Sequence, residues 1–416
     1  MKKVKLGDVL DVRRGTSLAG EYYSEQGNLI RLTLGNFNYP RGGFQENTAK
    51  KDIYFVGSVN PAFILKAGDI ITPLTEQVSG LLGETATIPE SGKYIQSGDI
   101  GLVVPDETKI DKRFAYYLVA SPIVRKQLDA AAQQTKIRHT SPDAIKACEA
   151  WIPENISTQQ SIGKFLDALN AKITLNKKIN ATLEAMAQTL YDYWFVQFDF
   201  PDEQGKPYKA SGGKMVYSSE LGRDIPAGWK VGTLEDFATY ATKKISSEKI
   251  PRNRYIATDN MLPNAQGVTV SQYEPSESSV HEFTSGDVLL ANIRPHFKKV
   301  WLAHFSGGCS SDVLVIRPKN FSEAEYIFST LSRDDFFSYD VAGAKGTKMP
   351  RGDKVHIMSY PMLINNDLIE RYVAFVRPMY FKLCKLHLES RRLAALRDWL
   401  LPMLMNGQVD FKKGEN

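Results

Sequence analysis

The 416-residue chain has few cysteines, and they lie far apart. Cys148, Cys309 and Cys384 are odd in number and spaced unlike a disulfide framework, which favours a reducing compartment. The N-terminal MKKVKLGDVL lacks the apolar segment of a secretory signal. No apolar run approaches the ~20 residues that cross a bilayer. The sequence therefore predicts a cytoplasmic location and no membrane partner.

Catalytic signatures are also missing. The chain has no G-x-S-x-G, H-E-x-x-H or G-x-x-x-x-G-K-[ST] motif and no glycine-rich cofactor turn after a strand. PDETK at 105–109 has the acidic and lysine residues of some nuclease sites, but crowded into one segment, which is typical of a solvated turn. His296, His304 and Cys309 fit no standard metal-ligand spacing. We expect no catalytic residue, metal or bound cofactor on this chain.

The composition indicates a folded protein of more than one domain. Hydrophobic residues make up 43% and charged residues 24% of a chain that is too long for one ordinary core. Lysine and arginine total 52 against 47 acidic residues, for a net charge of +5. A mildly basic balance permits a polyanionic partner without requiring one.

The sequence repeats itself, and the repeat gives its organisation. The distance between matching segments falls steadily from 228 to 218, 213 and 212 residues, as expected for two divergent copies that differ by loop insertions. The matching pairs are LGDVLDVRRGTS (6–17) with LEDFATYATKKIS (234–246), KAGDIITPLT (66–75) with TSGDVLLANI (284–293), SGDIGLVVPD (97–106) with SSDVLVIRPK (310–319), and TKIRHTSPDAIKACEAWIP (135–153) with TKMPRGDKVHIMSYPML (347–363).

Each copy ends in a segment with apolar residues alternately three and four apart, the a/d spacing of a coiled coil. The first seam contains Ile162, Leu166, Leu169, Ile173, Asn176, Asn180, Leu183, Ala187, Leu190 and Trp194, and the second contains Ile369, Tyr372, Val376, Met379, Leu383, Leu386, Ser390, Leu393, Arg397, Leu400 and Leu404. So narrow a seam needs a partner helix, and we expect the two helices to pair antiparallel; the alternative is that each packs on its own domain. Pro378 predicts a kink or the true start of the second helix.

These patterns predict a mixed α/β (α+β) fold with two globular domains, two long antiparallel helices and pseudo-twofold internal symmetry. A Gly-, Pro- and Ser-rich stretch between the copies predicts an extended linker. The expected boundaries are a first domain over 1–156, a helix over 157–198, a linker over 199–228, a second domain over 229–363, a helix over 364–405 and a tail over 406–416.

The order and duplication of these segments resemble the specificity subunit of a type I restriction–modification enzyme along essentially the whole chain. The residues that carry the resemblance are LGDVLDVRRG, IPAGWKVGTLEDFA (225–238), the paired GD-apolar strands, the two TK segments, the first helix pattern and LESRRLAALRDWLLPMLMNGQVDF (388–411). No single stretch is diagnostic.

The resemblance implies a non-catalytic reader of DNA. Two target-recognition domains would each read half of a split double-stranded DNA sequence, while the long helices set the spacer and dock two modification (methyltransferase) subunits. S-adenosylmethionine would be bound by those subunits, and ATP and Mg²⁺ by restriction subunits where the system has them.

One stretch, GDVLLANIRPHFKKVW (286–301), gives this function candidate residues in the second copy. Arginine and lysine can pair with guanine edges, asparagine with adenine, and lysines with phosphates. We expect Arg294 and Asn292 to contact bases and Lys298 and Lys299 to hold the backbone, with His296 beside them; a solvated loop is the alternative.

The TK segments supply cations in both copies. Lys345, Lys348 and Arg351 correspond to a segment with Lys136, Arg138 and His139, and a position that is cationic twice suits phosphate contact. Arg13, Arg14 and Arg41 are the other basic candidates of the first copy.

Three other functions stay open on sequence alone. They are a stand-alone DNA-binding or decoy protein of the same fold, an enzyme with unrecognised motifs, and a scaffold whose basic loops face acidic proteins. Copurification of a methyltransferase, intrinsic cofactor binding or cleavage, and sequence-blind DNA binding would separate them.

Overall fold

The computed structural model describes residues 1–38, 42–47, 53–76, 80–131 and 138–409. The chain divides into two compact units. Unit 1 consists of 1–175 with 389–416, and unit 2 consists of 176–388. Both divisions fall inside long helices, so each of these helices has one end in each unit.

Unit 1 combines short strands with helices. Its described strands are β1 Lys2–Lys5, β2 Leu10–Arg14, β3 Tyr23–Ser24, β4 Ile30–Arg31, β5 Tyr54–Phe55, β6 Ile70–Pro73, β7 Thr75–Glu76, β8 Ala86–Thr87, β9 Tyr94–Ile95, β10 Ile100–Pro105, β11 Arg138–His139 and β12 Glu149–Ile152. Its helices are α1 Lys112–Val119, α2 Pro122–Ala131, α3 Pro142–Ala147 and the start of α4 Ile156–Tyr191.

Unit 2 follows the same plan. Its described strands are β13 Met215–Ser218, β14 Arg223–Pro226, β15 Lys230–Thr233, β16 Ala238–Tyr240, β17 Lys244–Ser246, β18 Tyr255–Ile256, β19 Ser279–Phe283, β20 Val288–Ala291, β21 Val300–Leu302, β22 Gly307–Cys309, β23 Val313–Pro318 and β24 Pro361–Ile364. Its helices are α5 Leu234–Phe237, α6 Ala324–Leu331, α7 Asp334–Gly343, α8 Lys354–Met358 and the start of α9 Asn366–Met405.

The sheet topology confirms the internal repeat and the mixed α/β class. Unit 1 has an antiparallel sheet of order β2-β10-β6-β8, and unit 2 has its counterpart, β16-β23-β20-β21. The first and last strands of each copy pair antiparallel, β1 with β12 and β15 with β24. Parallel strand pairing occurs in both units, between β4 and β9 and between β18 and β22.

The buried central strands explain why the GD-apolar motifs recur. Residues of β20 are buried on both faces, and Val288, Leu289 and Leu290 are fully buried. In β6 all four residues are buried as well. Strands covered on both sides have continuous apolar runs, whereas half-exposed strands alternate. These runs anchor the two hydrophobic clusters of each unit.

Within each unit, segments of α4 and α9 pair antiparallel, as their seams predict. In unit 1, Leu166 and Leu404 share one core cluster, and Arg397 donates to Asn170 across 2.9 Å. In unit 2, the Tyr372 hydroxyl donates to the Ala187 carbonyl. Seam residues that are buried include Ile162, Leu166, Leu169, Ile173, Asn176, Asn180, Ala187, Trp194, Ile369, Tyr372, Val376, Leu383, Leu386 and Leu404. The helix α9 begins before Pro378 and runs through it, so this proline does not mark the helix start.

The stretch 199–228 differs from the extended linker that its composition predicts. It contains the β13–β14 hairpin, and its aromatic residues join the core of unit 2. Phe200 stacks between Tyr208 and Trp229, at centroid distances of 4.7 and 5.3 Å, and Phe198 lies edge-on to Trp229. The glycines serve turns in a packed segment, and the aromatic side chains supply the burial that a flexible linker lacks.

A buried asparagine closes the same loop in both units. In unit 2 the Asn260 amide donates to the Tyr255 and Thr269 carbonyls and accepts from the Ala257 amide, at 2.7–3.0 Å. In unit 1 Asn36 accepts from Thr33 and donates to a later carbonyl in the same way. Neither side chain is more than 3% exposed. One amide thus replaces the backbone pairing that these turns lack.

We predict that Asn260→Ala lowers the free energy of unfolding by about 2–3 kcal/mol, because three backbone groups lose their partner in a buried place. Denaturant unfolding of the purified protein measures the difference. The control is Asn253→Ala, at an exposed asparagine of the same unit. Equal stability of the two variants would contradict this role for Asn260.

Candidate nucleic-acid interface

Two loops of unit 2 meet beside the end of β20. The chain leaves β20 through Asn292, and Ile293 forms an antiparallel bridge with Arg351 of the TK segment. The Arg294 amide donates to the Pro350 carbonyl (2.8 Å), and the Gly352 amide donates to the Asn292 carbonyl (3.2 Å). The two stretches that the sequence singled out separately therefore form one surface, which we call the paired loops (292–299 and 344–352).

The backbone of the first loop is held in an uncommon conformation. Arg294 and Lys298 are left-handed, with φ of 53° and 52°, on either side of a 3₁₀ turn over Pro295–Phe297. A second loop fixes this turn: the Asn264 amide donates to the Phe297 carbonyl, and the next amide, that of Ala265, donates to Lys298. Left-handed residues other than glycine cost free energy and are concentrated at functional sites.

The candidate cations of unit 2 differ in how they are engaged. Arg294, His296 and Lys348 are exposed, and within the described residues the structure gives their charged ends no ion pair. The others have acidic partners: Lys298 lies 2.6 Å from Asp334, Lys345 2.5 Å from Asp353, and Arg351 2.9 Å from Asp312. The Lys345 side chain is 81% exposed, so its ion pair lies at the surface.

Lys299, which was expected to hold the DNA backbone, is hydrogen-bonded within the domain instead. Its ammonium donates to the Thr258 carbonyl across 2.5 Å, and burial lowers the pKa of this lysine. The ammonium also lies 5.8 Å above the Phe297 ring. Lys299 therefore ties the loop to the domain, whereas its neighbour Lys298 stays at the surface.

Asn292 is only half-exposed, and its amide faces inwards. The Oδ1 atom is buried without a hydrogen-bond partner, and so are both carboxylate oxygens of Asp340 on α7. Burial raises the pKa of Asp340 to about 6, while His356 acts in the opposite direction. The base of the paired loops thus contains a polar cluster that the sequence did not reveal.

Unit 1 builds the same pairing with different chemistry. Strand β7 pairs with β11, so that Thr75 lies opposite His139 and Glu76 opposite Arg138. Glu76 is buried, lies 2.7 Å from Arg138, and accepts from the backbone amides of residues 80–82. Arg138 also pairs with Asp129 at 3.1 Å. Arg138 is therefore committed to holding the loop, and His139 is exposed beside it.

The other basic candidates of unit 1 divide in the same way. Arg14 is exposed and reaches the TK segment, where it donates to the Thr140 carbonyl across 3.4 Å. Arg13 pairs with Asp11 on the same strand at 3.0 Å. Arg41 and Lys136 lie outside the described residues.

Two of the residues with conceivable catalytic chemistry have structural surroundings. Asp106 of the PDETK stretch is bonded to Thr108 and Lys109 in a turn, which lowers the pKa of Asp106 to about 2. Cys309 is buried in β22, where burial raises the pKa of its thiol to about 12. In the part of the chain that the structure describes, no group of three metal-ligating side chains is present, and no helix is both long and apolar enough to cross a membrane.

Sequence reasoning missed Asp340 and Glu76, although a signal was present for the first. On α7 the buried face is formed by Phe336, Phe337 and Asp340, so a carboxylate occupies the next position of an apolar stripe. A charged residue on a core-facing position indicates a polar cluster. Glu76 gave no such signal, because its strand is only two residues long.

Comparison with known proteins agrees with this architecture. The family model described as "Type I restriction modification DNA specificity domain" matches residues 1–185. The MjaIX specificity subunit of Methanocaldococcus jannaschii is 23% identical over 324 residues, covering 74% of this chain and 71% of that protein. The chain is therefore similar to the specificity subunits of type I restriction enzymes.

Further relatives are similar over comparable lengths. The HindI specificity subunit of Haemophilus influenzae is 21% identical over 388 residues, covering 76% of this chain and 81% of that one. A solved type I system S subunit from M. genitalium has the same fold, with a TM-score of 0.56, 14% identity, and coverage of 97% of this chain and 96% of that one. The fold predicted from the repeat is thus that of a specificity subunit.

Proposed function

We propose that this specificity subunit reads a split DNA target, with one half-site recognised by the paired loops of unit 2 and the other by the matching loops of unit 1. The chain is a sequence-specific DNA recognition protein of a type I restriction–modification system. The observation that carries the proposal is the repeated pairing, Ile293 with Arg351 and Thr75 with His139, which presents two loops at the end of a core strand in each unit.

The chemistry of the paired loops suits a duplex. Arg294 is exposed and unpaired among the described side chains, and its guanidinium can donate two parallel hydrogen bonds to a guanine edge. Lys348 is equally free to contact a phosphate, as is His139 in unit 1. Lys298, Lys345 and Arg351 lie in exposed ion pairs, which can exchange an aspartate for a phosphate at little cost.

The long helices are proposed to serve the partner subunits and the spacing. Phe375, Phe381 and Leu388 of α9 are 59%, 63% and 48% exposed, which is more apolar surface than a solvated helix normally presents. Modification subunits are the proposed occupants of this face. In this proposal the chain itself is non-catalytic, S-adenosylmethionine is bound by the modification subunits, and restriction subunits supply ATP- and Mg²⁺-dependent steps.

The deciding experiment maps modified adenines across the genome of a methylation-free host. The host carries the modification subunit with this chain, and in parallel the modification subunit alone. A split motif with a fixed gap that appears only with this chain supports the proposal. An active modification subunit that gives no chain-dependent motif would reject it in favour of a decoy or scaffold.

For Lys348→Ala we predict weaker DNA binding on every sequence and a salt dependence that is shallower by ~0.9 in log–log slope, because one phosphate contact and its counterion release are lost. Titrations of the complex at several salt concentrations measure both quantities. Lys209→Ala, at an exposed lysine outside the paired loops, is the control and should leave the slope unchanged. An unaltered slope for Lys348→Ala would remove this residue from the interface.

Helix length is predicted to set the gap between the half-sites. Seven residues inserted after Asn176 in α4, with seven matching residues after Leu388 in α9, preserve the heptad seam and add ~10 Å of helix. We expect both half-sites to stay the same and the gap to grow by about three base pairs, at 3.4 Å per base. Methylation mapping reads the new motif, and an insertion of the same length in the 203–206 turn is the control. Altered half-sites with an unchanged gap would show that the helices are not the ruler.

A further inference from the structure

The cluster beneath the paired loops is buried and polar. Asp340 is 1% exposed, and neither of its carboxylate oxygens has a hydrogen-bond partner. The Asn292 Oδ1 atom is likewise buried without a hydrogen-bond partner. A buried carboxylate without a partner is costly, so the native state must provide one or bind a proton.

The Asp340 and Asn292 side chains both lie against Gly352. A Cβ atom at this position would lie 2.4 Å from Asp340 Oδ1 and 3.1 Å from Asn292 Oδ1, so both oxygens approach one point. A side chain at position 352 would have to displace these groups. An amide can rotate to present either its nitrogen or its oxygen. Asn292 can therefore donate to an ionised Asp340, or accept from it when Asp340 carries a proton.

Unit 1 has no such cluster at the same place. The first residue after β6 is Leu74, where Asn292 follows β20, and the seventh residue of α2 is Leu128, where Asp340 is the seventh of α7. Both leucines are buried in the core of unit 1. The same fold is therefore stable with apolar side chains at these two positions. Stability alone does not explain the polar pair of unit 2.

The pair is connected to the surface through the loop backbone. The backbone amide of Asn292 donates to the backbone carbonyl of Asp312, and the backbone carbonyl of Asn292 accepts from the backbone amide of Gly352. The Asp312 carboxylate in turn holds Arg351 at 2.9 Å. Fixing the Asn292 side chain thus fixes the first residue of one loop and the residue next to Arg351 in the other. Arg294 follows two residues later in a left-handed conformation.

We propose that Asp340 is a positioning residue for DNA recognition: it hydrogen-bonds the Asn292 amide and so holds Arg294 and Arg351 in the geometry that reads one half-site. This inference rests on the proposed function. Asp340 touches no DNA in this scheme, and Asn292 acts as its partner at the base of the loop. The polar pair lowers stability relative to the leucines of unit 1 and gives directional control of the loop, which hydrocarbon contacts do not provide.

The test uses the complete complex with modification subunits and short duplexes that carry each single base change in either half-site. For Asp340→Leu we expect about a tenfold loss of base discrimination in one half-site and none in the other, without a lower melting temperature of the protein, since a lost directional hydrogen bond affects geometry more than packing. Asp340→Asn should restore discrimination to within about twofold, because an amide still bonds Asn292.

Two further variants keep the outcome decisive. Asn292→Ala removes the partner and should cause the same one-sided loss, which covers the case that Asp340→Leu does not fold. Asp224→Leu, at an exposed aspartate on β14, is the control and should change neither half-site. Unchanged discrimination in the Asp340→Leu and Asn292→Ala complexes would overturn the inference, as would an equal loss in both half-sites.

The failure of this inference is separable from failure of the proposed function. If the wild-type complex recognises no split motif, the proposed function is at fault. If it recognises a motif that the Asp340→Leu complex reads equally well, only the positioning role is lost.

Discussion

The short antiparallel pairing beside the central strand determines what each unit can present. In unit 2 it joins Ile293 to Arg351, and in unit 1 it joins Thr75 to His139. Each pairing ties the second residue after a fully buried strand to a segment far along the chain. The loops on either side are therefore held in place by the core. A fixed loop favours binding, because each side chain that must be ordered on binding weakens affinity.

The two units use this common frame for different side chains. Glu76 of unit 1 occupies the position of Arg294 in unit 2. The Glu76 carboxylate is buried and accepts from backbone amides, whereas the Arg294 side chain is exposed. Leu74 and Leu128 correspond to Asn292 and Asp340. A constant backbone with variable side chains is what the proposed reading of two half-sites would need, since the backbone would set register and the side chains would discriminate.

Much of the fold was predictable because periodicity and repetition are read directly from sequence. The seam residues of α4 and α9 are buried as the heptads indicate, and the matching segments form matching strands. The stretch 199–228 was not predictable, because glycine and proline mark packed turns as well as flexible linkers, and the stacking of Phe200 on Trp229 is a tertiary contact. Short strands such as β7 gave no periodic signal at all.

The candidate site was predictable only to the level of segments. Charge and position singled out both paired loops, but the direction of each side chain depends on neighbours from elsewhere in the chain. Lys299 points inwards because Thr258 offers a carbonyl, and Lys298 stays outside because Asp334 lies beside it. Asp340 could not be placed near Asn292 from the sequence, because the two are 48 positions apart and only their common approach to Gly352 brings them into one region.

Three aspartates beside the paired loops offer a way for a basic surface to be selective under the proposed function. Asp334, Asp353 and Asp312 each hold one candidate cation in an exposed ion pair that contributes little to stability. Under the proposed function, a duplex in the correct register would replace these carboxylates with phosphates, whereas a misplaced duplex would bring its phosphates against them. Repulsion of wrong alignments discriminates as well as attraction does, and it weakens non-specific binding along the rest of the DNA.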